Sequence, residues 1–129
     1  MEGEGRIVIA DLEAGLGTLL RLEPGQADLI VVVAQPTVKS LDVAARALRV
    51  AAGRTPVIVV ANRVRDEDDV ALIRESLGRE HELVEVPEDE VIARADRDGT
   101  APIDASGRSD GVGAIVALAE RVRLARLPA

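Results

Sequence analysis

The sequence predicts an α/β fold, in which a parallel sheet of about four strands is connected by crossover helices. Apolar runs of strand length alternate with stretches in which apolar residues recur at helical spacing. The first three runs are continuous rather than alternating, as expected for strands that are buried on both faces of a sheet. The runs cover residues 6–10, 29–34, 57–61 and 82–86.

The segments between the runs have the start and stop signals of amphipathic helices. Glycine often ends a helix, and a glycine follows the apolar pattern in two of these segments. The acidic run Asp66-Glu67-Asp68-Asp69 suits the positive end of a helix dipole better than it suits a metal site. The first predicted helix runs from Val38 to Gly53, the second follows Asp66 and stops at Gly78, and the last begins near Ser109 or Asp110.

Composition limits the architecture and the chemistry. The 129 residues are 47% hydrophobic, and Phe, Trp, Tyr and Cys are absent. This length predicts a single domain over residues 1–129, with a core of small aliphatic side chains. Without cysteine there are no disulfides or thiolate metal sites, and a single histidine, His81, leaves no histidine cluster for a metal.

Charge and hydropathy restrict the partners. The formal net charge of −7 opposes binding to nucleic acid or to an anionic membrane, and there is no aromatic ring on which bases could stack. No apolar run approaches the ~20 residues of a membrane span, and the polar N-terminus does not resemble a signal peptide. We therefore expect a cytoplasmic protein with neither nucleic acid nor a membrane as partner.

Polar residues follow each predicted strand. In open parallel sheets, ligands bind beyond the carboxyl ends of the strands, so the functional residues are expected there. These polar clusters cover residues 11–15, 35–37, 62–63 and 87–89.

These clusters, in this order, resemble segments of the MinD/ParA class of P-loop ATPases, with the closest resemblance to the MinD branch and to CooC-type metallocentre maturation ATPases. Residues 11–15, Asp-Leu-Glu-Ala-Gly, resemble the switch segment Asp-x-[Pro/Glu]-Ala-Gly. Asn62-Arg63 resembles the element that reads adenine, and Pro87-Glu88-Asp89 resembles the MinD-type segment near the base. The resemblance covers essentially the whole chain but only the C-terminal portion of a family member. It implies a truncated P-loop NTPase fold of the SIMIBI type, in one partial domain.

The resemblance assigns phosphate-side roles to two residues. In the family, the residue at the position of Asp11 holds Mg²⁺ through water, and the residue at the position of Gly15 offers its N–H to the γ-phosphate. The residue types alone also fit a simpler interpretation, in which Asp11 caps a turn and Gly15 permits one.

The resemblance assigns base-side roles to five further residues. Asn62 and Arg63 would bind adenine, and Pro87, Glu88 and Asp89 would line the other side of the base. An Asn at this place also fits an Asx turn that leads into the next helix. Likewise, the proline would end a strand, and the two acids would favour the start of a short helix near residue 91.

The phosphate-binding loop of the family, Gly-x-x-x-x-Gly-Lys-[Ser/Thr], does not occur in this sequence. Phosphoryl transfer in this class depends on that lysine and on the loop amides, so we expect no ATPase activity from this chain alone. The expected function is a noncatalytic interaction or regulatory module that requires no cofactor and binds adenine nucleotides weakly. The alternative is the C-terminal half of an ATPase, which a partner chain carrying the loop completes and which then binds ATP or ADP with Mg²⁺. A receiver-like phosphoacceptor fits less well, because the third and fourth runs lead into Asn62 and Pro87 rather than a phosphoacceptor Asp and a lysine.

The missing loop also has a structural consequence. In the family, the strand of the loop lies between the strand that ends at Asp11 and the strand that ends at Ala34. Because strands pair at ~4.8 Å, these two strands cannot face each other across a gap. They pair directly, accept a strand from a partner protein, or complement those of a second copy. We expect direct pairing for a chain that folds alone.

Overall fold

The computed structural model describes residues 5–12, 26–105 and 109–125. Within these residues, three strands form one parallel sheet in the order β1-β2-β3. The predicted fold class, an α/β fold with helices between parallel strands, is confirmed. The elements are β1 (Ile30–Ala34), α1 (Val38–Ala51), β2 (Val57–Val64), α2 (Glu67–Leu77), β3 (Glu82–Pro87), α3 (Glu90–Asp98), α4 (Pro102–Ala105) and α5 (Asp110–Leu124).

Local capping residues explain where the crossover helices begin and end. The Thr37 hydroxyl accepts the N–H of Ser40 at 3.3 Å at the start of α1. At the start of α2, the Asp66 carboxylate accepts the N–H of Asp69 at 2.9 Å. Helix α2 ends at Gly78, whose φ of 93° lies in the region that favours glycine. The acidic run of residues 66–69 therefore serves the helix start, as predicted.

The core has two layers around β2, the central strand. One face of the sheet packs against α1 and α2, and the other packs against α5. The core consists of aliphatic side chains, since the chain has no aromatic residue. The sheet is buried on both faces only where helices cover it. The first layer includes Leu41, Leu48, Val59, Ala61 and Ile73, and the second includes Ile58, Val60 and Val86 with Ala114 and Leu118 against them.

The prediction of a strand at residues 6–10 is wrong for this structure. These residues have no regular secondary structure and are exposed, with 56% of Ile7, 59% of Val8 and 83% of Ile9 accessible to solvent. Within the described residues, β1 pairs only with β2, so the expected direct pairing of residues 6–10 with residues 29–34 is also wrong. An apolar run indicates that a segment favours burial, but a strand forms only where another strand supplies its hydrogen bonds.

Candidate functional site

The carboxyl end of β2 contains a β-bulge. Asn62 lies opposite Val86 and Val64 lies opposite Pro87, so Arg63 is the extra residue between them. Its φ is 59°, in the left-handed region that residues with a side chain seldom adopt. A bulge interrupts the strict alternation of side chains along a strand and redirects those beside it. The predicted adenine element, Asn62-Arg63, therefore coincides with the irregular end of the central strand.

The bulge lies next to the start of the predicted Pro87-Glu88-Asp89 segment. Arg63 Nη2 donates to Glu88 Oε1 at 2.9 Å, and the N–H of Glu88 donates to the carbonyl oxygen of Val64 at 3.0 Å. The structure thus brings residues 62–63 and 87–89 together at one edge of the sheet. Both side chains of the ion pair are about half exposed, at 58% and 44%, so the pair contributes little to stability and stays open to a ligand.

Asn62 is half-buried at this edge. In the part of the chain that the structure describes, its side-chain amide makes no hydrogen bond. The alternative interpretation, an Asx turn leading into α2, is therefore not observed, and Asp66 caps that helix instead. The Asn62 amide keeps one donor group and one acceptor group for a ligand.

Asp89 connects two helices. Its Oδ1 accepts the N–H of Val91 at 2.8 Å, and its Oδ2 accepts the N–H of Gly111 at 2.7 Å. These bonds hold the pKa of the Asp89 carboxyl below its usual range, with the Gly111 N–H as the largest cause, while burial acts in the opposite direction. Asp89 is the N-cap of α3, which confirms that the acids start a short helix, and it also binds the first turn of α5. Its carboxylate oxygens are thus occupied within the protein.

Gly111 makes this connection possible, and sequence reasoning missed it. A Cβ at this position would lie 2.7 Å from Asp89 Cβ and 2.7 Å from Ile92 Cδ1, closer than non-bonded carbons approach. The glycine therefore lets α5 approach the turn that follows β3. A glycine in the first turn of a helix, two residues after the Ser109 cap, is the sequence signal that could have indicated a close approach.

A buried carboxylate, that of Asp69, stabilises the turn between β2 and α2. Asp69 is only 9% exposed, and its Oδ2 accepts the backbone N–H of Arg65 at 2.9 Å and Arg65 Nε at 3.2 Å. These bonds, the backbone bond first, lower the pKa of Asp69, and the bond to Asp69 raises the pKa of Arg65. The loop that follows the bulge is thus fixed from within, which keeps the end of β2 in place.

The phosphate-side residues are not brought to this edge. Asp11 is exposed and follows a segment without strand structure, so it does not lie at the end of a strand. Gly15 lies outside the described residues. Across the described ranges, no group of three or more His, Asp or Glu side chains is arranged to hold a metal ion. No helix among these residues is long and apolar enough to cross a membrane.

The parallel sheet places polar residues at the carboxyl ends of β2 and β3, the edge at which open α/β sheets bind their ligands. No protein-family profile matches the chain. Over 95 residues the chain is 38% identical to an uncharacterized ATP-binding protein of Methanocaldococcus jannaschii. The matched region is 70% of this chain and 37% of that protein, so the chain spans little more than a third of the relative's length. The chain is therefore similar to part of one ATP-binding protein, and this similarity does not single out the MinD/ParA class.

Proposed function

We propose that this chain is a MinD/CooC-like domain that binds the adenine base of a nucleotide and acts as a noncatalytic interaction or regulatory module. The observation that supports it most is the bulge at Arg63, which joins Asn62-Arg63 to Glu88 at the carboxyl edge of the sheet. The similarity to an ATP-binding protein supports a nucleotide as the ligand.

The chemistry of this edge suits an adenine ring. The free amide of Asn62 donates and accepts side by side, which matches the amino group and neighbouring ring nitrogen of adenine. The exposed guanidinium of Arg63 offers a flat cationic surface on which a base stacks. Pro87 adds a half-buried apolar contact. Asp89 contributes by positioning the turn, because its oxygens already accept two amides.

Binding through the base alone predicts a distinct ligand profile. The sequence has no glycine-rich loop with a lysine, so this chain adds little affinity for the β- and γ-phosphates. AMP, ADP and Mg-ATP should therefore bind with similar, weak affinity, in about the millimolar range. GTP should bind more weakly still, because guanine presents a different pattern of donors and acceptors.

Titration calorimetry with these four nucleotides, combined with a turnover assay, tests the proposal. Asn62→Asp replaces the amide donor and should weaken binding by about 5- to 150-fold, the range that corresponds to ~1–3 kcal/mol for a bidentate contact. Glu75→Gln is the matched control, since it also changes one terminal atom but lies at an exposed position near the end of α2. Equal affinity for adenine and guanine nucleotides, or no effect of Asn62→Asp, would contradict base binding. Sub-millimolar affinity together with hydrolysis would contradict the noncatalytic role.

A second candidate is the C-terminal part of an ATPase that a partner chain with the phosphate-binding loop completes. It is favoured by one observation, the match to only 37% of the ATP-binding relative. In such a complex, Asp11 would hold Mg²⁺ through water and Gly15 would donate to the γ-phosphate. Co-purification with a chain that carries a Gly-Lys-[Ser/Thr] loop, and Mg-ATP turnover that appears on mixing, would support it. Turnover that Asp11→Asn leaves unchanged would contradict these roles.

A further inference from the structure

The outer edge of β1 has main-chain groups that no strand uses in the described part of the chain. The N–H of Ile30 donates to the carbonyl oxygen of Pro56 at 3.0 Å, so Ile30 faces the β2 side. In a parallel pair, alternate residues form the bonds to one neighbour. The N–H and C=O groups of Val31 and Val33 therefore point away from β2, towards the free edge.

The side chains of the same two residues are also uncovered. Val32 and Ala34 are buried beneath α1, whereas Val31 and Val33, on the opposite face, are 38% and 57% exposed. Natural edge strands are usually protected by a lysine, a proline or a bulge. β1 has the sequence Ile-Val-Val-Val-Ala and none of these devices. The outer edge of β1 is therefore apolar, and its main-chain groups can pair with another strand.

The chain also contains an apolar segment that is not part of the sheet. Residues 6–10, here called the N-terminal apolar segment, form a continuous run of the kind found in strands buried on both faces. Ile7, Val8 and Ile9 are more than half exposed in this structure. Among the described residues, one molecule thus presents both a strand-like segment and a strand edge that pair with no further strand.

We propose that two copies of this chain exchange these segments, so that the N-terminal apolar segment of each copy pairs in parallel with β1 of the other. The exchange is reciprocal, as a two-fold symmetric dimer requires, and it extends each sheet by one strand. Fully extended, the intervening residues 11–29 span at most about 60 Å, which is enough to reach a second molecule. The outer main-chain groups of β1 then form hydrogen bonds with main-chain groups of the N-terminal apolar segment. This inference does not depend on nucleotide binding.

The association state of the full chain tests the exchange. Light scattering with refractive-index detection suits a protein without Trp or Tyr and should give twice the chain mass of 13.6 kDa. Ile9→Asp and Val33→Asp place a charge in the two contacting surfaces, and each should raise the dimer dissociation constant by at least about tenfold. Val38→Asp is the matched control, because Val38 is 88% exposed at the start of α1 and away from both surfaces. It should leave the dimer unchanged.

Mixing the two variants distinguishes reciprocal strand exchange from nonspecific association of exposed apolar surfaces. In a mixed dimer, the unaltered β1 of the Ile9→Asp copy receives the unaltered segment of the Val33→Asp copy. The other contact of the mixed dimer carries both charges, whereas a dimer of either variant alone has a charge in each of its two contacts. Because a single charge is enough to disrupt a contact, only the mixed dimer keeps one intact contact, and an equimolar mixture should dimerise more strongly than either variant alone. A wild-type chain that is monomeric at all concentrations would overturn the proposal, as would a dimer that tolerates both variants or a mixture that restores nothing.

Hydrogen exchange in the wild-type protein decides the matter even if a variant fails to fold. The amides of Val31 and Val33 should exchange slowly in the dimer and rapidly after dilution to the monomer. Rapid exchange in the dimer would overturn the proposal. Slow exchange in a monomer would also overturn it, because the segment would then pair within its own chain.

Discussion

Replacing Gly111 with alanine should destabilise the protein, although alanine is the better helix former. The added Cβ would lie 2.7 Å from Asp89 Cβ and from Ile92 Cδ1, and 2.9 Å from Asp89 Oδ2. Ordinary contacts between carbon atoms are ~3.5–4.0 Å, so α5 would have to move away from α3 by about 1 Å. That movement also lengthens the hydrogen bond from the Gly111 N–H to Asp89.

Two opposing contributions decide the magnitude. Overpacking of this kind costs about 1–3 kcal/mol, whereas Gly→Ala inside a helix gains at most ~1 kcal/mol from backbone propensity. The net loss for Gly111→Ala should be ~1–2 kcal/mol, a decrease in melting temperature of roughly 4–8 °C. Gly113, two residues further along α5, has no atom within 4 Å of the corresponding Cβ position. Gly113→Ala should therefore stabilise the protein by ~0.5–1 kcal/mol.

Urea denaturation followed by far-UV circular dichroism measures both changes without aromatic reporters. The midpoints should move in opposite directions, with an unchanged dependence of the unfolding free energy on urea. If both variants move the same way, or if Gly111→Ala is as stable as the wild type, the close approach of α5 to the turn after β3 does not control stability.

Two other changes can be measured by the same titration. Ile73 of α2 is fully buried in the core, so Ile73→Ala should lower the free energy of unfolding by ~2–5 kcal/mol. Leu72→Ala, at a position that is 42% exposed, should lower it much less. Equal losses would contradict the assigned core. The pKa of Asp89 is lowered in the folded state, so its stabilising effect is present above the ordinary value of ~3.9 and disappears as pH falls through the folded value. The wild type should therefore be more stable than Asp89→Asn at neutral pH, and a difference that persists undiminished in strong acid would contradict the hydrogen bonds at Asp89.

The three strands and the main helices could be predicted because their determinants are local. The apolar runs at residues 29–34, 57–61 and 82–86 became β1, β2 and β3, with ends displaced by at most a few residues. Burial on both faces, which the continuous runs predicted, does not hold for β1, where Val31 and Val33 are exposed. Thr37 and Asp66 start their helices, and Gly78 ends α2, through bonds to near neighbours in sequence. The run at residues 6–10 has the same composition, yet it forms no strand, because pairing depends on an edge elsewhere in the fold.

The candidate site was predictable in its position but not in its contacts. Polar residues after two neighbouring parallel strands must share an edge, which placed Asn62-Arg63 beside Pro87-Glu88-Asp89. The bulge at Arg63 was not predictable, since nothing in the residue type favours a positive φ. The bond between Asp89 and Gly111 joins residues far apart in sequence, and no periodic pattern encodes such a contact.

One carboxylate that fastens the first turns of two helices changes how mutational data at this edge should be interpreted. A variant at Asp89 removes the anchor of α3 and of α5 together, and so disturbs the neighbouring loop whether or not a ligand ever touches that side chain. Loss of nucleotide affinity in such a variant would report a displaced scaffold. Evidence for direct recognition has to come from Asn62 and Arg63, whose side chains can be altered without releasing either helix.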